Sequence, residues 1–311
     1  MDKMNLLTSV RTYATSANLG PGFDCAGLAL DIYNDCEVYE NNSRKSCVSI
    51  KGLENPGIAK DENNLICRTI KKALQKKYGN AYEKYQKAIE IVCEIKVPVE
   101  RGLGSSSTAV VAGLLIANRL YGLDFTLTEL LNIGLEIEPH PDNLSPCLSG
   151  GLAISYKSRS GSYSFEKISI MENFRILLMI PDYKVNTNAA RKLLPEFILK
   201  EDAILNIANF AMLINRLKDG NLENAVDFMR DRMHQPYRKD VYPDSMEIVE
   251  ELNSKFDIPA AISGSGPTVL AFITDKKFEE FNSSIAADFQ NKYGSFKLQF
   301  TTITHSGSYC D

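Results

Sequence analysis

The chain has 311 residues, 44% of them hydrophobic and 24% charged, with a formal net charge of −4 at pH 7. This is globular composition, long enough for two packed domains, and it excludes disordered, collagenous and repeat-built classes. The acidic balance offers no long-range attraction to a phosphate backbone, no apolar run is long enough for a bilayer, and the N-terminus lacks a signal-peptide profile, so a cytoplasmic protein with neither nucleic acid nor membrane as partner is expected.

Residues 5 to 13 and 32 to 40 alternate apolar and polar side chains and predict strands. A helical pattern covers 64 to 78, an Ile- and Val-rich strand runs over 89 to 97 up to Pro98, and helical patterns return at 105 to 121 and 126 to 137. The Gly- and Ser-rich stretch starting at Arg159 reads as an exposed connection, which places a domain boundary there and gives domains of 1–158 and 159–311. Beyond it the pattern predicts a strand at 174 to 181, a mainly helical stretch from 186 to 256, strands near 258 to 263 and 268 to 274, a helix to 291 and a final strand. Strands and helices are mixed throughout, so the fold class is α/β or α+β. Seven cysteines without a C-x-x-C pair fit reduced thiols, and three histidines away from metal-ligand spacing speak against structural zinc. A hard, oxygen-bound ion stays open.

Three glycine-rich segments carry the chemistry. R-G-L-G-S-S-S-T-A-V-V-A-G at 101 to 113 follows a strand and opens a helix of small residues. Gly102 and Gly104 let the backbone approach a ligand, and the free amides at the helix start, with their partial positive charge, suit phosphate. Ser105, Ser106 and Ser107 add hydroxyls as helix caps, phosphate donors or magnesium ligands. The segment lacks the lysine of a Walker loop, and a plain serine-capped helix is its structural alternative. T-S-A-N-L-G-P-G-F-D-C-A-G-L-A-L at 15 to 30 packs glycines around Asn18 and Asp24, either aiming polar groups or letting Asp24 cap a short helix. A-I-S-G-S-G-P-T-V-L-A-F at 261 to 272 sets Gly264 and Gly266 in a tight turn, read alone as a hairpin tip.

In this order and at these separations the three segments resemble the signature motifs of GHMP kinases. Within that superfamily, S-A-N-L-G-P-G-F-D-C-A-G-L-A-L, H-P-D-N-L-S-P-C-L-S-G-G at 140 to 151, N-T-N-A-A-R-K-L-L-P at 186 to 195 and D-R-M-H-Q-P-Y-R at 231 to 238 are similar to the homoserine kinase branch. The resemblance implies an α+β GHMP kinase fold. Its N-terminal domain would be like domain 2 of ribosomal protein S5, with a left-handed βαβ crossover, and its C-terminal domain ferredoxin-like, with the active site in the cleft between them. It further implies ATP and Mg²⁺ as cofactors and L-homoserine as acceptor. A homodimer, paired through the N-terminal strand, stays open.

Carried over residue by residue, the nucleotide would meet Asn64, Arg101, Gly102, Leu103, Gly104, Ser105, Ser106 and Ser107, with Ser106 also touching magnesium. A second magnesium ligand is sought just before H-P-D-N, where Glu136 and Glu138 both qualify as hard carboxylates. Homoserine needs an anion for its ammonium and a cation for its carboxylate. Asp24 suits the first and Arg191 and Arg238 the second, because a guanidinium donates two parallel hydrogen bonds. Asn18, His140, Asn143, Thr187 and Gly264 complete the acceptor clamp by resemblance, with Asp24, His140, Asn143 and Arg191 closest to the chemistry. Asp24, Asp142 and His140 all remain open as the group that takes the hydroxyl proton. Pro139 replaces a glycine common in the family and removes an amide donor from the metal-side turn. Another small alcohol (threonine, mevalonate, a sugar) or a nucleotide sensor without catalysis are the competing readings.

Overall fold

The computed structural model describes residues 5–41, 45–51, 57–183 and 192–311. A seven-stranded sheet and a four-stranded sheet organise the chain. The first is built from β1 (Leu6–Ala17), β2 (Ala26–Glu40), β3 (Cys47–Lys51), β4 (Ile89–Glu94), β5 (Leu152–Lys157), β6 (Tyr163–Ile168) and β11 (Tyr309–Cys310). Its spatial order is β11-β1-β2-β4-β3, with β5 on β2 and β6 on β5. β2 pairs with β1 and is long enough to serve two more neighbours: Ala26, Gly27 and Leu28 pair with β5, and the stretch from Asp35 to Glu40 pairs with β4. Beyond Leu30 it alternates buried and open positions, as its sequence predicts.

β3 and β4 run parallel and are joined through α1 (Leu65–Tyr78), the crossover that a parallel pair requires. α1, α2 (Ser105–Leu120), α3 (Leu127–Leu135) and α4 (Pro141–Ser149) pack on this sheet, Leu74, Val111, Leu114, Leu131 and Leu144 meeting Val10, Val38 and Ile91 in one buried cluster. The small residues Ala109, Ala112 and Gly113 let α2 lie close to α1: a Cβ on Gly113 would stand 2.6 Å from the Ile66 carbonyl.

The second sheet contains β7 (Phe174–Pro181), β8 (Ala260–Ile262), β9 (Val269–Thr274) and β10 (Phe296–Thr301). All its pairs are antiparallel and the order is β10-β7-β9-β8. α5 (Lys200–Asp219), α6 (Ala225–Phe228) and α7 (Pro243–Lys255) separate β7 from β8. α8 (Asp275–Glu280), a π turn and α9 (Ala286–Lys292) separate β9 from β10. A β-α-β-β-α-β chain with the first strand between the fourth and third is ferredoxin-like, as the resemblance implies.

The Gly- and Ser-rich segment near 160 is the turn of the β5–β6 hairpin, so the first sheet continues to Ile168 and the chain reaches the second only at Phe174. We therefore place the division at 169–173 rather than at 158. An exposed glycine-serine turn reads alike whether it closes a hairpin or separates domains. β3, β5, β6, β11 and α4 are absent from the sequence reading: β11 is two residues long, and α4 carries Pro141 and Pro146, which mask its helical pattern. All seven cysteines are free thiols. Among the described residues no helix is long and apolar enough to cross a membrane.

Candidate active site

The three glycine-rich segments, far apart in sequence, meet at one junction of the two sheets. β1 runs straight into a turn in which Asn18, Leu19 and Gly20 take φ of 71°, 48° and 78°, and Asp24 takes 55°. Left-handed backbone in non-glycine residues persists only where surroundings enforce it. Here Asn18 Nδ2 donates to the Gly264 carbonyl (2.8 Å), the Asp24 amide donates to Asn18 Oδ1 (3.0 Å) and the Gly264 amide donates to the Ala17 carbonyl (3.0 Å). The first and third segments thus hold each other.

The second segment completes the junction. The Thr15 amide donates to the Leu103 carbonyl (3.2 Å), Ser263 Oγ donates to the Gly102 carbonyl (2.7 Å) and the Thr268 amide donates to the Arg101 carbonyl (3.2 Å). A Cβ on Gly102 would lie 2.4 Å from the Ser263 carbonyl, and one on Gly104 would lie 2.0 Å from Thr15 Oγ1. Both positions need glycine twice over, for space and for their φ of 78° and 67°. Gly104 is the left-handed cap from which α2 starts, so the amides of the first turn are left open to a ligand.

They open onto a cavity of about 450 Å³. Its lining includes the apolar side chains of Val48, Ile50, Ile58, Leu65, Ile95 and Val99. It also includes Gly102, Gly104, Ser105, Ser106, Ser107, Glu138 and Asn143. An apolar lining suits a flat base, and a helix terminus suits phosphates. Leu103 does not line the cavity; its side chain is fully buried among Ala14, Leu19, Leu28 and their core neighbours. Asn64 borders the cavity, but Oδ1 accepts from the Ile66 amide (2.9 Å) and Nδ2 donates to the Ala59 carbonyl (2.7 Å), so its side chain shapes the loop before α1. The Arg101 guanidinium turns to the second sheet, donating to the carbonyls of Pro181 (2.8 Å) and Asp182 (2.6 Å), and burial lowers its pKa.

The two candidate metal carboxylates separate. Glu138 lines the cavity and its Oε1 accepts from Ser107 Oγ at 2.6 Å. Glu136 lies outside, bound to Lys72 (2.7 Å) and Lys76 (3.3 Å) of α1, and the Lys72 hydrogen bond above all pulls its carboxyl below the usual range. Among the described residues no three His, Cys, Asp or Glu side chains cluster as a metal site. An ion here would take one carboxylate together with hydroxyl and phosphate oxygens, the donor set magnesium favours.

Around the first segment, Asp24 Oδ2 lies 3.6 Å from His140 Nδ1, both side chains about one-third exposed. His140 occupies the position before α4, and Asn143 Oδ1 accepts from Thr15 Oγ1 (2.8 Å) while bordering the cavity. Asp142 is nearly buried. Arg238 is 1% exposed and donates to the same Gly264 carbonyl that Asn18 holds (2.8 Å), so its guanidinium braces the third segment. Thr187 and Arg191 lie outside the described residues.

Several supporting residues escape the sequence reading. Asn34 lines the cavity from mid-β2, donating to Thr108 Oγ1 (3.0 Å) and accepting from the amides of Lys96 and Val97 (2.8 and 2.9 Å). Thr15 and Ser263 sit beside the motifs and tie them together. Tyr242 donates to the Ser265 carbonyl (2.8 Å), and burial pushes its pKa up to about 12, so it stays protonated as a donor. An asparagine in a β-strand with otherwise alternating burial was the one visible signal, because buried amides require partners.

Comparison with known proteins agrees with this geometry. The family model for the GHMP kinases N terminal domain matches residues 64–151, and that for GHMP kinases C terminal matches 213–290. The chain is 38% identical over 279 residues to the homoserine kinase of Clostridium kluyveri, covering 89% of each protein. It is 33% identical over 295 residues to that of Synechococcus, covering 95% of each. The crystal structure of homoserine kinase from Cytophaga hutchinsonii superposes with a TM-score of 0.83 at 24% identity, covering 100% of this chain and 99% of that one, and so supports the fold. Two domain models, relatives at this identity along nearly the whole length and one site assembled from the three shared segments lead to the same conclusion: the chain belongs to the homoserine kinase family of the GHMP kinases.

Proposed function

We propose that the chain transfers the γ-phosphoryl group of ATP to the side-chain hydroxyl of L-homoserine, giving O-phospho-L-homoserine and ADP, the kinase step of threonine biosynthesis in the cytoplasm. The observation that carries this reading is the N-terminus of α2 opening onto the cavity, whose lining residue Gly264 is bonded to Asn18, beside the Asp24–His140 pair. Phosphoryl transfer asks a protein for positioning and charge neutralisation, and both are provided here by backbone amides and fixed side chains.

The base lies against the apolar part of the cavity lining and the phosphates against the amides of 104 to 107, where the helix dipole favours negative charge. Ser106 and Glu138 would hold Mg²⁺, which would supply charge neutralisation for the transferred group. Ser107 fixes the Glu138 carboxylate from behind. The homoserine hydroxyl attacks the γ-phosphorus in line, the bond to the bridging oxygen breaks, and ADP leaves with the electron pair. Asp24 receives the ammonium or hydroxyl end, with His140 beside it, and this accessible pair suits the hydroxyl proton better than the buried Asp142. Arg191, Thr187 and Arg238 complete the acceptor clamp, Arg238 by holding the Gly264 carbonyl.

The test is ADP release measured with homoserine, threonine, mevalonate and galactose in turn. Turnover that depends on homoserine and Mg²⁺ is expected. Turnover on another alcohol with none on homoserine would end the reading.

A further inference from the structure

Segment 231 to 238 contains two fully buried side chains, Asp231 and His234, that have no part in the transfer chemistry above. Asp231 folds the segment: Oδ1 accepts from Asn206 Nδ2 (2.8 Å) and the Met233 amide (2.8 Å), and Oδ2 from the amides of His234 (3.1 Å) and Gln235 (2.7 Å). His234 is thereby set with Nε2 at 2.8 Å from the Gly20 carbonyl and 3.5 Å from Asp231 Oδ2. A carbonyl only accepts, so Nε2 carries the proton and Nδ1 the lone pair. Burial lowers the pKa of the ring, outweighing the pull of Asp231, and leaves it neutral near pH 7. One face stacks on Phe23, with centroids 5.1 Å apart and planes 20° from parallel.

Gly20 and Phe23 lie in the turn that presents Asp24. That turn contains four left-handed residues, Asn18, Leu19, Gly20 and Asp24, and the three that are not glycine are costly unless neighbours enforce them. Besides the bond from Asn18 to the Gly264 carbonyl, two contacts reach this turn from outside: His234 to the Gly20 carbonyl and Asn206 to the Pro21 carbonyl (3.3 Å). The same segment grips the third glycine-rich region, where Gln235 Oε1 accepts from the Ile262 amide (2.8 Å) and Arg238 donates to the Gly264 carbonyl (2.8 Å). Residues 231 to 238 therefore hold both the first and the third glycine-rich segments.

We propose that His234 is a positioning residue for the acceptor: through the Gly20 carbonyl and the Phe23 ring it holds the 18-to-24 turn in the shape that presents Asp24 to the substrate. The inference rests on the acceptor reading given under the proposed function. A histidine that merely filled the core would affect both substrates alike. A positioning histidine affects the acceptor selectively, because the nucleotide contacts come from the first turn of α2.

The test uses the full chain and compares His234→Gln with His234→Asn, reading kcat, both KM values and the melting temperature. The glutamine amide reaches where Nε2 lies and can donate to Gly20, whereas asparagine is too short. His234→Asn is expected to raise the homoserine KM about tenfold, the worth of one buried hydrogen bond, while the ATP KM stays within about twofold. His234→Gln should restore the homoserine KM to within about threefold of wild type. Parallel rises in both KM values, or glutamine no better than asparagine, would overturn the proposal. Should the asparagine variant fail to fold, Phe23→Leu reads the same coupling from a partly exposed site, and an unchanged acceptor KM there overturns it equally. Wild-type inactivity on homoserine sinks the functional reading alone; the variants are then compared on the alcohol that the wild type does phosphorylate.

Discussion

The hydroxyl of Ser107 donates to Glu138 Oε1 at 2.6 Å, tying the first turn of α2 to the segment that enters α4. It also separates two carboxylates only two residues apart: Glu138 faces the cavity, while Glu136 is neutralised by Lys72 and Lys76. Glu138→Gln should lower kcat by about 100-fold or more, since a metal-binding charge contributes several kcal/mol to transition-state stabilisation. Glu136→Gln should stay within about threefold of wild type, as expected for an exposed ion pair. Steady-state kinetics over a Mg²⁺ titration checks both; equal losses would defeat the assignment.

Gly104→Ala should cost both binding and stability. The new Cβ would lie 2.0 Å from Thr15 Oγ1 at a φ of 67°, and left-handed backbone alone costs a side-chain residue about 1–2 kcal/mol. A rise in ATP KM of about tenfold or more, with a lower melting temperature, is the expected result. Normal kinetics in the alanine variant would show that the loop is free to move.

Arg101 gives a different expectation from the one its motif position suggests. Its guanidinium holds the carbonyls of Pro181 and Asp182 at the end of β7. Arg101→Ala should therefore destabilise the fold by about 1.5–3 kcal/mol, the range for hydrogen bonds from a charged donor, and change the ATP KM less than the Ser106→Ala variant does. Denaturant melts and nucleotide kinetics together decide between tie and ligand.

Far from the site, Glu251 binds Lys255, Lys292 and Tyr293, each at 2.8 Å. Desolvation alone would raise its carboxyl, but these hydrogen bonds prevail and bring the pKa to about 2. A carboxyl depressed on folding stabilises above its unfolded value near 4.3, and that stability is lost as pH falls through about 2. The wild type should exceed Glu251→Gln by about 1 kcal/mol at pH 6. The two should converge as the pH drops from about 4 to about 2. Melts of both proteins across that range measure it.

Much of this was legible in the chain. The long strands announced themselves by alternation, α1 to α3 by helical period, and the phosphate loop by Gly102 and Gly104 ahead of three serines, because each of these depends on local geometry. β5 and β6 were hidden behind a serine-rich turn that looked like a linker. Asn64 and Arg101 had the right places in the motif, yet their side chains are spent on the loop before α1 and on β7.

By itself, then, the sequence determined the family through its resembling motifs, the long strands with α1 to α3, and the helix terminus offered to phosphate, since residue type and order carry that information along the chain. Only the tertiary structure showed which acid lines the cavity, that Arg101 and Arg238 donate to backbone carbonyls, and that His234 reaches the turn carrying Asp24. Those outcomes depend on contacts between residues as distant as Gly20 and His234 or Asn18 and Gly264, whose partners are set by how two sheets pack and by the need of every buried polar group for one.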